Sequence, residues 1–393
     1  MANDNDVRFD AGAIPPLYYW FAVYALGLAT FSLVTTQLLP VGLLTTIATD
    51  LNVSIGTAGL TVTLPGIVAA VAALLFSAAS RRTDRRVVLC TLMALLTAAN
   101  LLSAYASSFE VLLTARILAG ISTGGFFAIV GPLAGRLVPG PAVGRAMAII
   151  FGGVAVASVL GVPLATLLGD TNGWRSAFFA IAIVSAITFA GLLGALPRLP
   201  VAQSITLVTF YRLFGNARVR FGLLVTFCLV TGHFTAYTFV RPILQELAGI
   251  STALMSPLLF TYGVAGVIGN FIAGPAAARD IRCVILCITI GLSTVLFLMA
   301  VLGVATLPAI VLLFLWGLTY GGTSVSLQTW MNQAEPATPE AASALFAGMF
   351  NLSIAFGALL GGAAVDGVGV RSTLWFGGGL VLCAALMALR KSD

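Results

Sequence analysis

The sequence predicts an all-α membrane protein, with twelve transmembrane helices in two six-helix bundles related by a parallel internal repeat. Three observations lead there. Of 393 residues, 60% are apolar and only 8% charged, with a mean hydropathy of +1.07. A soluble domain has about a quarter of its residues charged, so most of this surface must face hydrocarbon. Apolar runs of about 20 residues, enough to cross a bilayer, recur twelve times. Finally, the two halves share residues at a nearly fixed offset.

Taken in order, residues 1–17 carry three aspartates and one arginine up to Pro16 and lack the basic opening of a cleavable signal peptide. They read as a cytoplasmic tail before a retained first span. Polar or Gly/Pro punctuation then sets spans at about 18–40, 57–79, 87–106, 109–132, 145–168 and 175–196. After a long non-spanning stretch, six more follow at about 220–244, 253–277, 283–303, 307–330, 341–364 and 372–390. The expected domains are an N-terminal bundle 18–196, a cytoplasmic linker 197–219, a C-terminal bundle 220–390 and a cytoplasmic end 391–393.

Basic loops stay in the cytoplasm. With both termini inside, 15 of the 19 basic residues fall on cytoplasmic segments, and only Arg116, Arg175, Arg241 and Arg371 do not. The run SRRTDRRVVL at 80–89 becomes a cytoplasmic turn anchoring spans 2 and 3. The net charge of +6 reflects this topology, and no nucleic-acid partner is expected. Arginine outnumbers lysine 18 to 1, a coding bias of GC-rich bacteria, and the expected location is a bacterial inner membrane. Cys90, Cys228, Cys283, Cys287 and Cys383 are scattered through apolar runs, and no His or acidic ligand accompanies Cys283 and Cys287, which share a helix face. They read as packing residues, with no metal site and no cofactor.

The repeat is specific. Gly120, Gly124 and Gly125 map onto Gly317, Gly321 and Gly322 at an offset of 197. Gly152, Gly161, Asp170, Gly173, Arg175 and Ser176 map onto Gly348, Gly357, Asp366, Gly369, Arg371 and Ser372 at 196. Arg282 lies 197 residues after Arg85. Six spans of offset preserve direction across the membrane, so the halves are parallel repeats about an axis along the membrane normal.

These residues resemble the major facilitator superfamily over all twelve spans. Its loop between spans 2 and 3 reads G-x-x-x-D-R-x-G-R-R. Here Ser77, Arg81 and Asp84 replace the first glycine, the acidic residue and the second glycine, while Arg82, Arg85 and Arg86 match. In the second half Gly274, Arg279 and Arg282 match. The resemblance implies a cytoplasmic latch in which arginines pair with acidic residues and helix C-termini. Arg116 to Gly120 is similar to the span-4 pattern R-x-x-x-G. The run ASVLGVPLATLLG around Gly161 and Pro163 is similar to the span-5 pattern of the drug/proton antiporter branch. TTQLLPVGLL (35–44) and TGHFTAYTF (231–239) resemble sugar-efflux and arabinose-efflux members, whose span 1 carries a glutamate where this chain has Gln37.

Charges inside a bilayer cost about 2.5 kcal/mol or more on insertion scales, which makes Arg116 and Arg241 coupling or gating candidates. His233 is the chain's single histidine. It shares a face of span 7 with Tyr237 and Arg241 at i, i+4, i+8, and it suits both hydrogen bonding to a polar solute and proton exchange. Both His233 and Tyr237 are expected to face a central cavity. Gln37, Phe127, Tyr262, Asn270, Gln328 and Asn351 complete the substrate-binding candidates, with Phe126, Trp316, Tyr320 and Asn332 as further wall residues. Other acidic residues, among them Asp170 and Asp366, read as loop or loop-edge positions, so no carboxylate is placed at mid-membrane.

The expected function is alternating-access secondary transport, exporting a small polar solute such as a sugar. The alternative is multidrug or antibiotic efflux. Less favoured are an intramembrane enzyme, for which the spans show no catalytic pair, and a transport-inactive receptor, for which no soluble domain exists. The expected partners are the substrate and the lipid bilayer, with the chain acting as a monomer. Proton coupling is left open between antiport and facilitated export.

Overall fold

The computed structural model describes residues 17–79, 83–199 and 207–389. The tail 1–16, Arg81 and Arg82 of the basic turn, part of the linker and the end of the chain lie outside the described residues. Twelve helices are long and apolar enough to cross a membrane, and the chain is a multi-pass membrane protein. The N-terminal bundle comprises α1 (Leu17–Asp50), α2 (Leu60–Ala79), α3 (Arg85–Ala104), α4 (Phe109–Val130), α5 (Gly140–Asn172) and α6 (Trp174–Ala195). A short helix, Leu207–Gly215, lies in the linker. The C-terminal bundle comprises α7 (Ala217–Tyr237), α8 (Thr252–Arg279), α9 (Ile281–Leu302), α10 (Thr306–Ala334), α11 (Pro339–Gly367) and α12 (Arg371–Leu389).

Each bundle encloses its own apolar cluster, with Leu26, Leu96 and Phe126 in the first and Leu229, Leu292 and Leu313 in the second. Close helix approach relies on small residues, as membrane packing requires. Gly120 and Gly124 of α4 lie against Pro65 and Ala69 of α2. Gly317 and Gly321 of α10 lie against Tyr262 and Gly266 of α8. Partners as well as glycines are offset by 197, so the repeat preserves contacts and not residue types alone. The two turns preceding α6 and α12 repeat as well. Gly173 (φ 84°) and Gly369 (φ 110°) adopt left-handed backbone that side chains resist, and Ser176 and Ser372 each donate to the carbonyl of that glycine.

The basic turns anchor helices. Asp84 accepts from the Arg86 backbone N–H at 2.8 Å, and Asp280 accepts from those of Arg282 and Cys283. Each is an N-cap, which explains an aspartate where the resembling loop has glycine. Arg86 donates to Leu193 O at the end of α6, and Arg282 to Ala388 O at the end of α12. The expected pairing with helix C-termini is therefore present. The Arg85 backbone N–H donates to Leu199 O, while Arg279 is exposed in the last turn of α8.

Three element limits differ from expectation, each at a proline. Span 1 does not end at Pro40, because α1 continues to Asp50, 34 residues in all. Proline cannot donate the hydrogen bond that Thr36 O would otherwise receive from four residues ahead. Arg116 Nη1 supplies it instead, at 3.1 Å. Span 7 is not continuous: α7 stops at Tyr237 and resumes at Val240–Pro242, followed by a π turn Ile243–Leu247. The missing Pro242 N–H accounts for the break. In α5 a π turn, Ala157–Gly161, precedes Pro163, and the helix then runs to Asn172. Asp170 is therefore helical and not in a loop.

Candidate functional site

The bundles meet where α2 packs on α11, α5 on α8 and α1 on the segment after α7. At the end of the molecule away from Leu17 and Leu389, the seam is bolted by polar contacts. Arg241 donates from Nη2 to Asp170 Oδ1 at 2.7 Å and from Nη1 to Gly42 O at 2.5 Å. Asp366 accepts from Ser54 Oγ at 2.6 Å and from the Gly56 N–H at 2.9 Å, just before α2. Asp170 and Asp366 are repeat partners, and each reaches from its own bundle into the other. Of the two ion pairs among the described residues, Arg175–Asp50 lies within the N-terminal bundle, while Arg241–Asp170 joins the two.

The seam slackens toward the end that carries the termini. A methyl group added to Gly66 would meet Asn351 O at 2.9 Å, whereas on Gly348, a turn nearer that end of α11, nothing of α2 would lie closer than 3.8 Å. Where contact begins to loosen, Gln37 Nε2 of α1 donates to Asn351 Oδ1 of α11 at 3.0 Å. Both amides are largely buried, at 9% and 7% exposure. The Asn351 side chain is itself held by Ala347 O. No charged group shares this amide pair.

The backbone beside Gln37 is fixed from inside the N-terminal bundle. Arg116 is fully buried, donates to Thr36 O and Ser103 Oγ, and lies over the Phe178 ring at 4.7 Å. Asn100 donates to Thr36 Oγ1 at 2.9 Å. Arg116 has no carboxylate partner among the described residues. It ties α4 to α1 and α3 and holds the backbone of the helix that carries Gln37. Arg241 is 2% exposed and spans the seam.

His233 does not face an open cavity. It is fully buried inside the C-terminal bundle, where its Nδ1 accepts from Trp316 Nε1 at 3.0 Å. A nitrogen that accepts must be unprotonated, so the ring hydrogen sits on Nε2. Tyr320, His233, Tyr237 and Tyr262 form a continuous stack, with centroid separations of 3.4, 5.0 and 4.7 Å. Packing of α8 and α10 against the same face of α7 turns these rings inward. The i, i+4 spacing identified the face but could not say which neighbour covers it.

Of the remaining candidates, Phe127 is half-buried against Phe126 on α4. Gln328 bonds Asn332 and Ser343 nearer the termini end, and Asn270 is exposed on α8. Neither joins the amide pair or the ring stack. Gly161 lies against Thr35 of α1, and Pro163 O accepts from Ser256 Oγ of α8 at 2.8 Å. The span-5 pattern thus sits on the seam. Among the described residues no cluster of His, Cys, Asp or Glu could hold a metal ion.

A twelve-helix duplicated chain, closed between its halves at one end and loosened at the other, has the architecture of an alternating-access carrier. A sequence model described as Major Facilitator Superfamily matches residues 24–338, and the chain belongs to that superfamily. It is 32% identical over 372 residues to the purine ribonucleoside efflux pump NepI of Shigella sonnei and to that of Escherichia coli K12, covering 95% of this chain and 94% of each relative. Among solved structures it resembles a bacterial homologue of the human lysosomal transporter Spinster in an inward-facing, unoccupied conformation, with TM-score 0.73 and 14% identity over 96% of this chain and 97% of the other. It also resembles the human organic anion transporter MFSD10, with TM-score 0.70 and 19% identity over 95% of this chain and all of the other.

Proposed function

We propose that this transporter exports a small neutral polar solute across a bacterial inner membrane, with both termini and the linker in the cytoplasm, and that the solute is a purine nucleoside or a close analogue. The observation that carries this reading is the Gln37–Asn351 pair across the seam. Rocking of the bundles must break that bond, after which Gln37 offers a carbonyl acceptor and two N–H donors, and Asn351 its carbonyl and the N–H that Ala347 O does not hold. Such groups suit ribose hydroxyls and the edges of a purine, and they leave a fixed charge on the solute without a partner. The named activity of the NepI relatives supports the same substrate class. The sugar expectation survives only as the ribose moiety.

The end bolted by Asp170, Arg241 and Asp366 is then the outer gate, and the loosened end opens to the cytoplasm. Efflux of labelled inosine, guanosine and arabinose from cells expressing the chain tests the reading. Nucleoside efflux that falls at least tenfold in both Gln37→Ala and Asn351→Ala is expected. Efflux of arabinose but not of either nucleoside would overturn the substrate assignment.

A further inference from the structure

We infer that the ring stack of the C-terminal bundle is the base-recognition platform of this transporter. It reads a planar heteroaromatic ring, while the amides of the seam read the polar remainder of the solute. This rests on the nucleoside reading above. Three features point to a ligand. First, Gln37 and His233 occupy corresponding places in the repeat, at the same offset of 196 as Asp170 and Asp366. The two helices beside the seam therefore present an amide and an imidazole at matching depth.

Second, the stack begins at the seam. Tyr262 adjoins Gly263, which lies 2.5 Å (at an added methyl) from Ser158 O of α5. From there the rings run over Tyr237 and His233 to Tyr320. Tyr262, Tyr237 and His233 are buried, whereas Tyr320 retains exposure as the last ring of the row. Its parallel spacing of 3.4 Å on His233 is that of stacked aromatic planes, so a further ring could extend the row.

Third, polar atoms at this end are left over. His233 Nε2 and Tyr320 Oη are buried without hydrogen-bond partners among the described residues. Buried polar groups are ordinarily paired, and the ring nitrogens and exocyclic group of a purine stacked on Tyr320 can pair with its Oη.

The test uses the purified full chain in lipid nanodiscs, with guanosine and ribose as probes. Aromatic stacking is sequence-tolerant and substantial, so Tyr320→Leu should weaken guanosine binding about tenfold and leave competition by ribose unchanged. Tyr320→Phe, which keeps the ring and loses only the hydroxyl, should weaken guanosine binding by a smaller factor than Tyr320→Leu. On the unsubstituted protein, saturation transferred from its aromatic protons should reach guanosine H8 more strongly than the ribose protons. Equal loss of guanosine and ribose binding in Tyr320→Leu, or stronger saturation of the ribose, would overturn the platform while leaving nucleoside transport intact. If the unsubstituted chain binds ribose but not guanosine, the nucleoside reading fails and the platform with it.

Discussion

Replacing Asp170 by Asn removes one charge from the ion pair that joins the bundles. Arg241 is 2% exposed and Asp170 10%, so solvent screens the pair little. Breaking a buried pair by removing one partner costs about 3–5 kcal/mol. Two compensations reduce that here: Arg241 keeps its bond to Gly42 O, and the Asn carbonyl can still accept from the guanidinium. A net loss of about 2 kcal/mol is the working figure, close to the net worth of a hydrogen bond to a charged group. Because the pair exists only when this end is shut, the loss falls on that state alone. The ratio of shut to open molecules should drop roughly thirtyfold. Spin labels at Asn172→Cys and Ser251→Cys, in a background with Cys283, Cys287 and Cys383 replaced by Ser, would report the distance between the outer ends of α5 and α8. Both positions are exposed. Asp170→Asn should add or enlarge a long-distance population. An unchanged distance distribution, with only a lower melting temperature, would refute the gate and leave a purely structural pair.

Further outcomes follow from the same contacts. Arg116→Gln should cost about 1–3 kcal/mol in thermal unfolding in detergent, as expected for an orphaned buried carbonyl, and the cost should shrink in a Pro40→Ala background, where residue 40 regains the N–H for Thr36 O. Additive losses in that double-mutant cycle would contradict the assignment. Gly56→Leu should abolish transport and hold the outer end open, since its side chain would enter the space of Gly362 and Asp366; normal efflux by this variant would count against tight closure there. Gln37→Glu should make efflux pH-dependent by placing a titratable carboxylate beside Asn351, and a flat profile between pH 5 and 8 would show that this position does not control coupling.

Much of the fold was legible because hydrocarbon imposes simple rules. Span number follows from apolar length, and the repeat follows from paired glycines whose packing partners are duplicated with them. The misreadings share a cause. Pro40, Pro163 and Pro242 read as punctuation or passed without comment, because sequence spacing shows the missing N–H but not its substitute. For Pro40 the substitute is an arginine 76 residues further on, and only the folded bundle brings it there. The same contact makes Arg116 a brace beside Gln37.

The site was legible in residue type more than in orientation. Gln37 and Asn351 were both candidates, but they lie 314 residues apart and nothing in the sequence pairs them. His233, expected to face a central cavity, lies inside the C-terminal bundle against Trp316. A helix face is readable from spacing, whereas what covers that face depends on the neighbouring helices. The aspartates at the bolted end of the seam carry a signal in the sequence itself. Asp170 and Asp366 are conspicuous as an acidic pair at the repeat offset, in a chain with 13 acidic residues in all. A charge duplicated at the same end of two parallel repeats has a natural partner across the axis that relates them. Each does reach over the seam, but to unlike groups: a guanidinium in one case, a hydroxyl and a backbone N–H in the other. The buried ion pair is the costlier to break, the bonds of the Asp366 carboxylate to uncharged donors less so, and unequal bolts at one end give it a hinge side. Opening should therefore begin at the Asp366 contact with the start of α2, and the Arg241–Asp170 pair should part last.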